Sequence, residues 1–161
     1  MVLNIQGVQV SRQYMLGKTW LLLIQIDCHQ IKIYRRILLQ VHELLESLTM
    51  QNFADQFEIL VIEDGSTEKS DLIVKKYQQQ LDVNYFFKEK SGAGASRNFG
   101  MKNASGNYFI ILDSDVIVPS QYLAEVKKAL ENNFTDAFGG PDAAHHSFTK
   151  LQKAINYSMT S

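Results

Sequence analysis

Cysteine is almost missing from this chain. Cys28 is the single one, so no disulfide can close within the 161 residues, and the composition fits a reducing compartment. Proline is nearly as scarce, with Pro119 and Pro141 alone. No repeat, low-complexity tract or Pro/Gly-rich linker divides the chain. Long apolar runs are lacking too. The longest near the start is Trp20 to Ile26, broken by Gln25, which is far too short to span a bilayer. Lys18 lies close before it, and Asp27, Cys28 and His29 follow where small cleavage-site residues would belong, so it does not read as a secretory signal. The expected location is the cytoplasm, with association at the cytoplasmic face of a membrane left open. The sequons Asn103-Ala104-Ser105 and Asn133-Phe134-Thr135 are then chance matches. An excess of positive charge is also absent. The net charge of −1 gives no support to nucleic-acid binding, which needs a basic face.

What is present is a core-forming composition, with 45% hydrophobic and 20% charged residues. Val41, Leu44, Leu45 and Leu48 fall on one helical face. Phe57 to Ile62 is an apolar run stopped by Glu63-Asp64-Gly65-Ser66, which predicts a buried strand and a turn. Leu72, Ile73, Lys76, Tyr77 and Leu81 suggest a helix capped by Thr67 or Ser70. Val83 to Phe87 reads as a strand. Ser91-Gly92-Ala93-Gly94 is a turn opening a helix to about Ala104, with Ser105-Gly106 beyond its end. Tyr108 to Leu112 predicts another strand running into Asp113-Ser114-Asp115. Pro119 can start a helix with Leu123, Val126 and Leu130 inward, Ala137-Phe138 is a short strand candidate, and Phe148, Leu151, Ile155 and Met159 pattern a last helix.

Strands alternating with helices predict an α/β fold: a mostly parallel, Rossmann-like sheet flanked by helices. Such sheets bind ligands outside the carboxyl ends of their strands. Glu63-Asp64, Gly92 to Asn98 and Asp113 to Asp115 follow three different strands, so the fold should gather them on one edge. Residues 57–62, 83–87 and 108–112 are expected as parallel neighbours, with Asp64 and Asp113 at the same end.

Each cluster has two readings. Alternate residues of a strand share a face, so Asp113 and Asp115 could point together and hold Mg²⁺ or Mn²⁺, itself bridging to a diphosphate. The alternative is a solvated turn with Asp as a cap. Asp64 could accept hydrogen bonds from a base or ribose, or could simply cap a turn at Gly65. The helix start at Gly92 offers N–H groups and a favourable field to phosphate, and Arg97 adds a planar cation. The other reading is a tight turn plus a surface arginine. Arg97 stands where a dinucleotide fingerprint needs a third glycine, and Arg12 stands where a Walker A loop ending at Gly17-Lys18-Thr19 needs its first. Adjacent His145 and His146 point apart and read as a polar loop. Cys28 has no paired His or Asn pattern that would make it a nucleophile.

Taken in order, Phe57 to Thr67 (FEILVIEDGST), Ser91 to Gly100 (SGAGASRNFG) and Ala104 to Asp115 (ASGNYFIILDSD) resemble the nucleotide-binding half of bacterial-type family 2 glycosyltransferases of the GT-A fold. Gly139-Gly140-Pro141-Asp142 and the Gln152 to Ser161 segment are similar to a bacterial subgroup of that family. The resemblance covers residue 41 to the end. It implies inverting, metal-assisted transfer of a sugar from a nucleotide-diphosphate sugar to an acceptor hydroxyl. By position it implies that Asp64 contacts the nucleoside, with Glu63 and Gly92 beside it. Arg97 would lie against the base or diphosphate, Asp113 would face the ribose and diphosphate, and Asp115 would hold Mg²⁺ or Mn²⁺ together with Asp113.

Two departures from the family pattern shape further expectations. Its first strand normally ends in a Pro-x-Tyr/Phe-Asn-like turn, whereas Leu22 to His29 holds neither proline nor asparagine. Residues 1–40 are therefore expected to be an atypical or damaged segment with one central strand weak or mispaired, ahead of a truncated nucleotide-sugar-binding domain at 41–161. The family's general base lies in an acidic pair well downstream of Asp115. After Glu125 the acidic residues are Glu131, Asp136 and Asp142, none in that context, so a catalytic base is not assigned. The alternative function is a non-catalytic nucleotide-diphosphate-binding fragment or pseudoenzyme.

Overall fold

The computed structural model describes residues 5–10, 20–26, 34–106, 108–140, 149–151, 153–154 and 157. Strands β1 (Ile5–Val10) and β2 (Trp20–Ile26) are followed by helix α1 (Tyr34–Thr49). Then come β3 (Phe57–Asp64), α2 (Asp71–Tyr77), β4 (Val83–Lys88), α3 (Ala93–Asn103), β5 (Tyr108–Asp113), α4 (Tyr122–Asn132) and β6 (Ala137–Gly140). One six-stranded sheet forms in the order β4-β3-β2-β5-β1-β6. The run β4-β3-β2-β5 is parallel. β1 is antiparallel to both β5 and β6.

Side chains leave a strand alternately on its two faces, and the core divides accordingly. Leu22, Ile24, Ile59, Val61, Val83, Ile110 and Leu112 pack with Val41, Leu44, Leu45 and Leu48 of α1, Val74 and Tyr77 of α2, and Leu123, Val126 and Leu130 of α4. Leu23, Leu60, Ile62 and Ile111 form the other face with Phe86, Phe99, Met101 and Phe109. Helix α3 covers that second face, and Gly100 lets it come close. A Cβ there would sit 2.0 Å from Leu23 Cδ1. Leu23 is fully buried, so even alanine at position 100 would force a core rearrangement costing about 1–3 kcal/mol.

The expectation of a weak or mispaired central strand needs correction. β2 is the centre of the parallel run, in unbroken register from Trp20↔Phe57 to Ile26↔Glu63 on one side. On the other side it runs from Trp20↔Tyr108 to Gln25↔Asp113. A strand paired on both sides satisfies its backbone whatever one polar residue such as Gln25 does, and Trp20, Leu22, Leu23, Ile24 and Ile26 are buried. β5 therefore neighbours β2, not β3. β1 falls in a stretch with no legible period, because its register shifts between Ile5 and Val8 and a bulge breaks alternation. The division expected after residue 40 lies within α1, which is continuous across it. α4 begins at Tyr122 rather than at Pro119, whose carbonyl accepts the Tyr122 N–H at 2.9 Å. Cys28, His145, His146, Phe148, Ile155 and Met159 lie outside the described residues. Leu151 is exposed.

Amide hydrogen exchange should be as slow in Leu22–Ile26 as in Phe109–Leu112. Exchange from the β2 amides orders of magnitude faster than from β5 would contradict the two-sided pairing.

Candidate functional site

The chain runs from β2 through β3 to β4 on one side, and β5 lies on the other side of β2. The strand order thus reverses between β2 and β5, and a crevice opens at their carboxyl ends, where parallel sheets hold ligands. Asp113 ends β5 at that point, and Asp64 ends β3 at the same edge.

Neighbouring acidic residues on β3 take opposite faces. Glu63 turns toward α2, and its Oε2 accepts from the Ser70 N–H and the Ser70 hydroxyl, both at 2.9 Å, and from the Tyr85 hydroxyl. It ties the loop before α2 to the sheet. Ser70 occupies the N-cap position, but its hydroxyl serves Glu63 rather than capping the helix.

Asp64 turns toward α3 and is fully buried. Its Oδ1 accepts the Ser91 N–H at 2.9 Å, its Oδ2 accepts the Gly92 N–H at 2.7 Å, and the Lys88 ammonium bonds Oδ1. Burial pushes its carboxyl up, but the Lys88 hydrogen bond and the two backbone N–H groups outweigh this and hold it below the usual value. The Lys88 ammonium also donates to the Glu89 carbonyl at 2.9 Å and to the Ser91 hydroxyl, with the Ser96 hydroxyl at 3.4 Å. Gly65 closes this assembly. It has φ of 72°, its N–H donates to the Lys88 carbonyl at 2.9 Å, and a Cβ there would come within 2.7 Å of Lys90 Cβ. Beside it, Ser66 Oγ is buried with no hydrogen-bond partner among the described residues.

From this turn α3 starts. Gly92 is its N-cap with φ of 87°, and the space a Cβ would take there is open. One turn on, Arg97 reaches across to β5, with its Nη2 at 3.7 Å from Asp113 Oδ1 and both side chains about a third exposed or less. The structure thus joins Asp64 to Gly92 and Arg97 to Asp113 on one edge, as the sequence predicts. It corrects the geometry of the acidic triplet. β5 ends at Asp113, and Ser114-Asp115 is a turn with Asp115 exposed, so strand alternation does not align the two carboxylates. Among the described residues no three His, Cys, Asp or Glu side chains converge on one point. Lys88, Ser91 and Ser96 were missed by sequence reasoning. The one signal available was that a carboxylate ending a buried strand needs a cation, and Lys88 ends the next strand.

A cavity of about 480 Å³ lies elsewhere, lined by Asp55, Phe57, Glu58, Gln80, Asp82 and Ser105 among others. It sits at the amino ends of β3 and β4. Glu58 Oε1 there accepts the Ser105 and Gly106 N–H groups at 2.6 and 2.7 Å and the Ser105 hydroxyl at 2.7 Å, pinning the loop before β5. The carboxyl edge, with its helix start and its cation–carboxylate pair, is the better candidate site.

Fold and edge together define a Rossmann-like α/β domain with an anion-ready crevice at its switch point. The chain belongs to glycosyl transferase family 2, whose family model matches residues 13–160. An uncharacterized glycosyltransferase of Rickettsia felis is 34% identical over 128 residues, covering 79% of this chain and 20% of that protein. The poly(ribitol-phosphate) beta-N-acetylglucosaminyltransferase TarS of Staphylococcus aureus is 31% identical over 99 residues, 60% of this chain and 17% of TarS. The crystal structure of S. aureus TarS 1-349 superposes with a TM-score of 0.61 at 26% identity, over 72% of this chain and 33% of that one. The same fragment solved in complex with UDP-GlcNAc gives a TM-score of 0.59. The chain spans about a fifth of the length of the curated relatives it matches. Among the described residues no helix is long and apolar enough to cross a membrane.

Asp64 makes stability pH-dependent. With its folded pKa depressed, its contribution is fully present above the unfolded value of about 4 and is lost as pH falls from there through the folded value. Urea unfolding across pH 2–6 should show Asp64→Asn with a flatter acid limb than wild type, and Asp64→Ala should cost about 3–5 kcal/mol at pH 7. A wild-type acid limb unchanged in Asp64→Asn would contradict this assignment.

Proposed function

We propose that this chain forms the nucleotide-sugar-binding part of a glycosyltransferase that moves a sugar from a nucleotide-diphosphate sugar to an acceptor hydroxyl with inversion. The observation that carries the reading is the Arg97–Asp113 pair at the switch point, beside the start of α3. Arg97 and the N–H groups opening α3 offer charge and donors to a diphosphate. Asp64 and Gly92 shape the nucleoside side of the crevice, and Glu63 holds the loop behind it. Asp113 and Asp115 would hold Mg²⁺ or Mn²⁺. Their fit is reasonable, since they offer hard carboxylate oxygens a short turn apart, and such ions take one or two carboxylates with the rest from phosphate and water. When bound, a divalent ion there offsets the charge growing on the departing diphosphate. UDP is the first nucleotide to test, because the TarS fragment with this fold was solved with UDP and with UDP-GlcNAc. We place this chemistry in the cytoplasm, free or at the cytoplasmic face of a membrane.

A second reading is nucleotide binding without transfer, and the position of Asp136 favours it. Asp136 precedes β6, which runs parallel to β5, so it lies at the amino edge, away from the crevice. Asp142 lies outside the described residues. No group is assigned as the base that would take the acceptor's proton.

Calorimetry with UDP should detect binding that needs Mn²⁺ or Mg²⁺, and Asp115→Ala should weaken it by about tenfold. Equal affinity with and without metal would remove the metal from the proposal, and no binding at all would remove the nucleotide.

A further inference from the structure

The β4–α3 turn is built around an ion pair that the family resemblance does not account for. The Lys88 side chain is 15% exposed and the Asp64 carboxylate it meets is fully buried. An ammonium has three hydrogens to give. Asp64 Oδ1, the Glu89 carbonyl and the Ser91 hydroxyl take them, and the Ser96 hydroxyl stands next in reach. Both Asp64 oxygens are meanwhile held by Ser91 and Gly92 N–H groups. Asp64 therefore spends its acceptor capacity on the turn, and Lys88 binds the turn from the other side.

We propose that Lys88 is a positioning residue for the nucleotide site: it clamps the Lys88–Ser96 turn around Asp64 and thereby sets the start of α3 and the reach of Arg97 to Asp113. The proposal rests on the nucleotide-binding reading above. Its physical basis is geometric. Ser91 and Gly92 lead directly into α3, and Ser96, within reach of the ammonium, is adjacent to Arg97. Without the cation, Asp64 would be a buried carboxylate facing two N–H groups alone, and the turn would open to let water reach it. A shift of about 1 Å at the start of α3 is enough to separate Arg97 from the group it must meet. The ion pair Lys127–Asp55 serves as a contrast. It is 2.7 Å long with both side chains 30% exposed, and it lies at the amino edge.

The experiment compares Lys88→Met with Lys127→Met in two readouts, amide exchange at Ser91 and Gly92 and the Kd for UDP with Mn²⁺. Lys88→Met should lose protection at Ser91 and Gly92 while Phe109–Leu112 keep theirs, and should weaken UDP binding by about tenfold or more. Lys127→Met should leave both readouts within about twofold of wild type. Retained affinity in Lys88→Met would overturn the proposal, whether or not the amides open, and so would an equal loss in Lys127→Met. If wild type binds no UDP, the nucleotide reading falls by itself, and retained protection in Lys88→Met would then separately refute the clamp. Should Lys88→Met fail to fold, the double variant Ser91→Ala/Ser96→Ala removes two acceptors of the ammonium. It should move both readouts in the same direction, and unchanged values would overturn the proposal.

Discussion

A carboxylate buried at the end of a strand is tolerable where a cation and enough N–H donors meet it, because leaving it unpaired costs several kcal/mol. Asp64 is in that position, and much of the site follows from how its demand is met. Lys88 supplies the charge, Ser91 and Gly92 supply the N–H groups, and satisfying all three bends the chain after β4 into one particular turn. That turn needs the left-handed backbone at Gly92, and Gly65, left-handed at the end of β3, packs against it. It also fixes where α3 begins, and Gly100 then lets the helix lie close against Leu23 on the sheet. The anion-ready end of α3 and the cation on its next turn are thus consequences of one buried charge.

The second constraint is the sheet. β2 lies between β3 and β5, so the chain's direction of growth reverses beside it. In a parallel sheet the connecting helices diverge at such a point, and the gap between them is open at the carboxyl ends of the strands. Arg97 and Asp113 face one another across it from α3 and β5. The cavity at the amino ends of β3 and β4 shows why volume alone is a poor guide, since its acidic lining includes Glu58, whose Oε1 is spent on holding a loop.

Legibility differed from element to element for identifiable reasons. α1 from Val41 onward, β3, β5 and α4 were readable because their apolar residues keep one period. β1 was not, because a bulge shifts its register between Ile5 and Val8 and no single alternation spans it. β2 looked weak because Gln25 and the polar residues after it break an apolar run. Its stability comes from pairing with β3 and β5, which lie tens of residues away in the chain. The alignment of Asp113 with Asp115 was misread for a local reason: strand geometry was extended past the residue where the strand stops.

By itself the sequence determined the class of fold, the edge where the polar clusters meet and most residues that line it, since alternation, helical period and turn chemistry are local properties. Tertiary structure alone decided which partners those residues take. Glu63 and Asp64 are adjacent in sequence and read alike, yet one serves the loop before α2 and the other the start of α3. Successive strand residues face opposite sides of the sheet, and what waits on each side is set by helices packed from distant parts of the chain. For the same reason sequence reasoning passed over Lys88, which meets Asp64 because β3 and β4 lie side by side with the two residues paired in register.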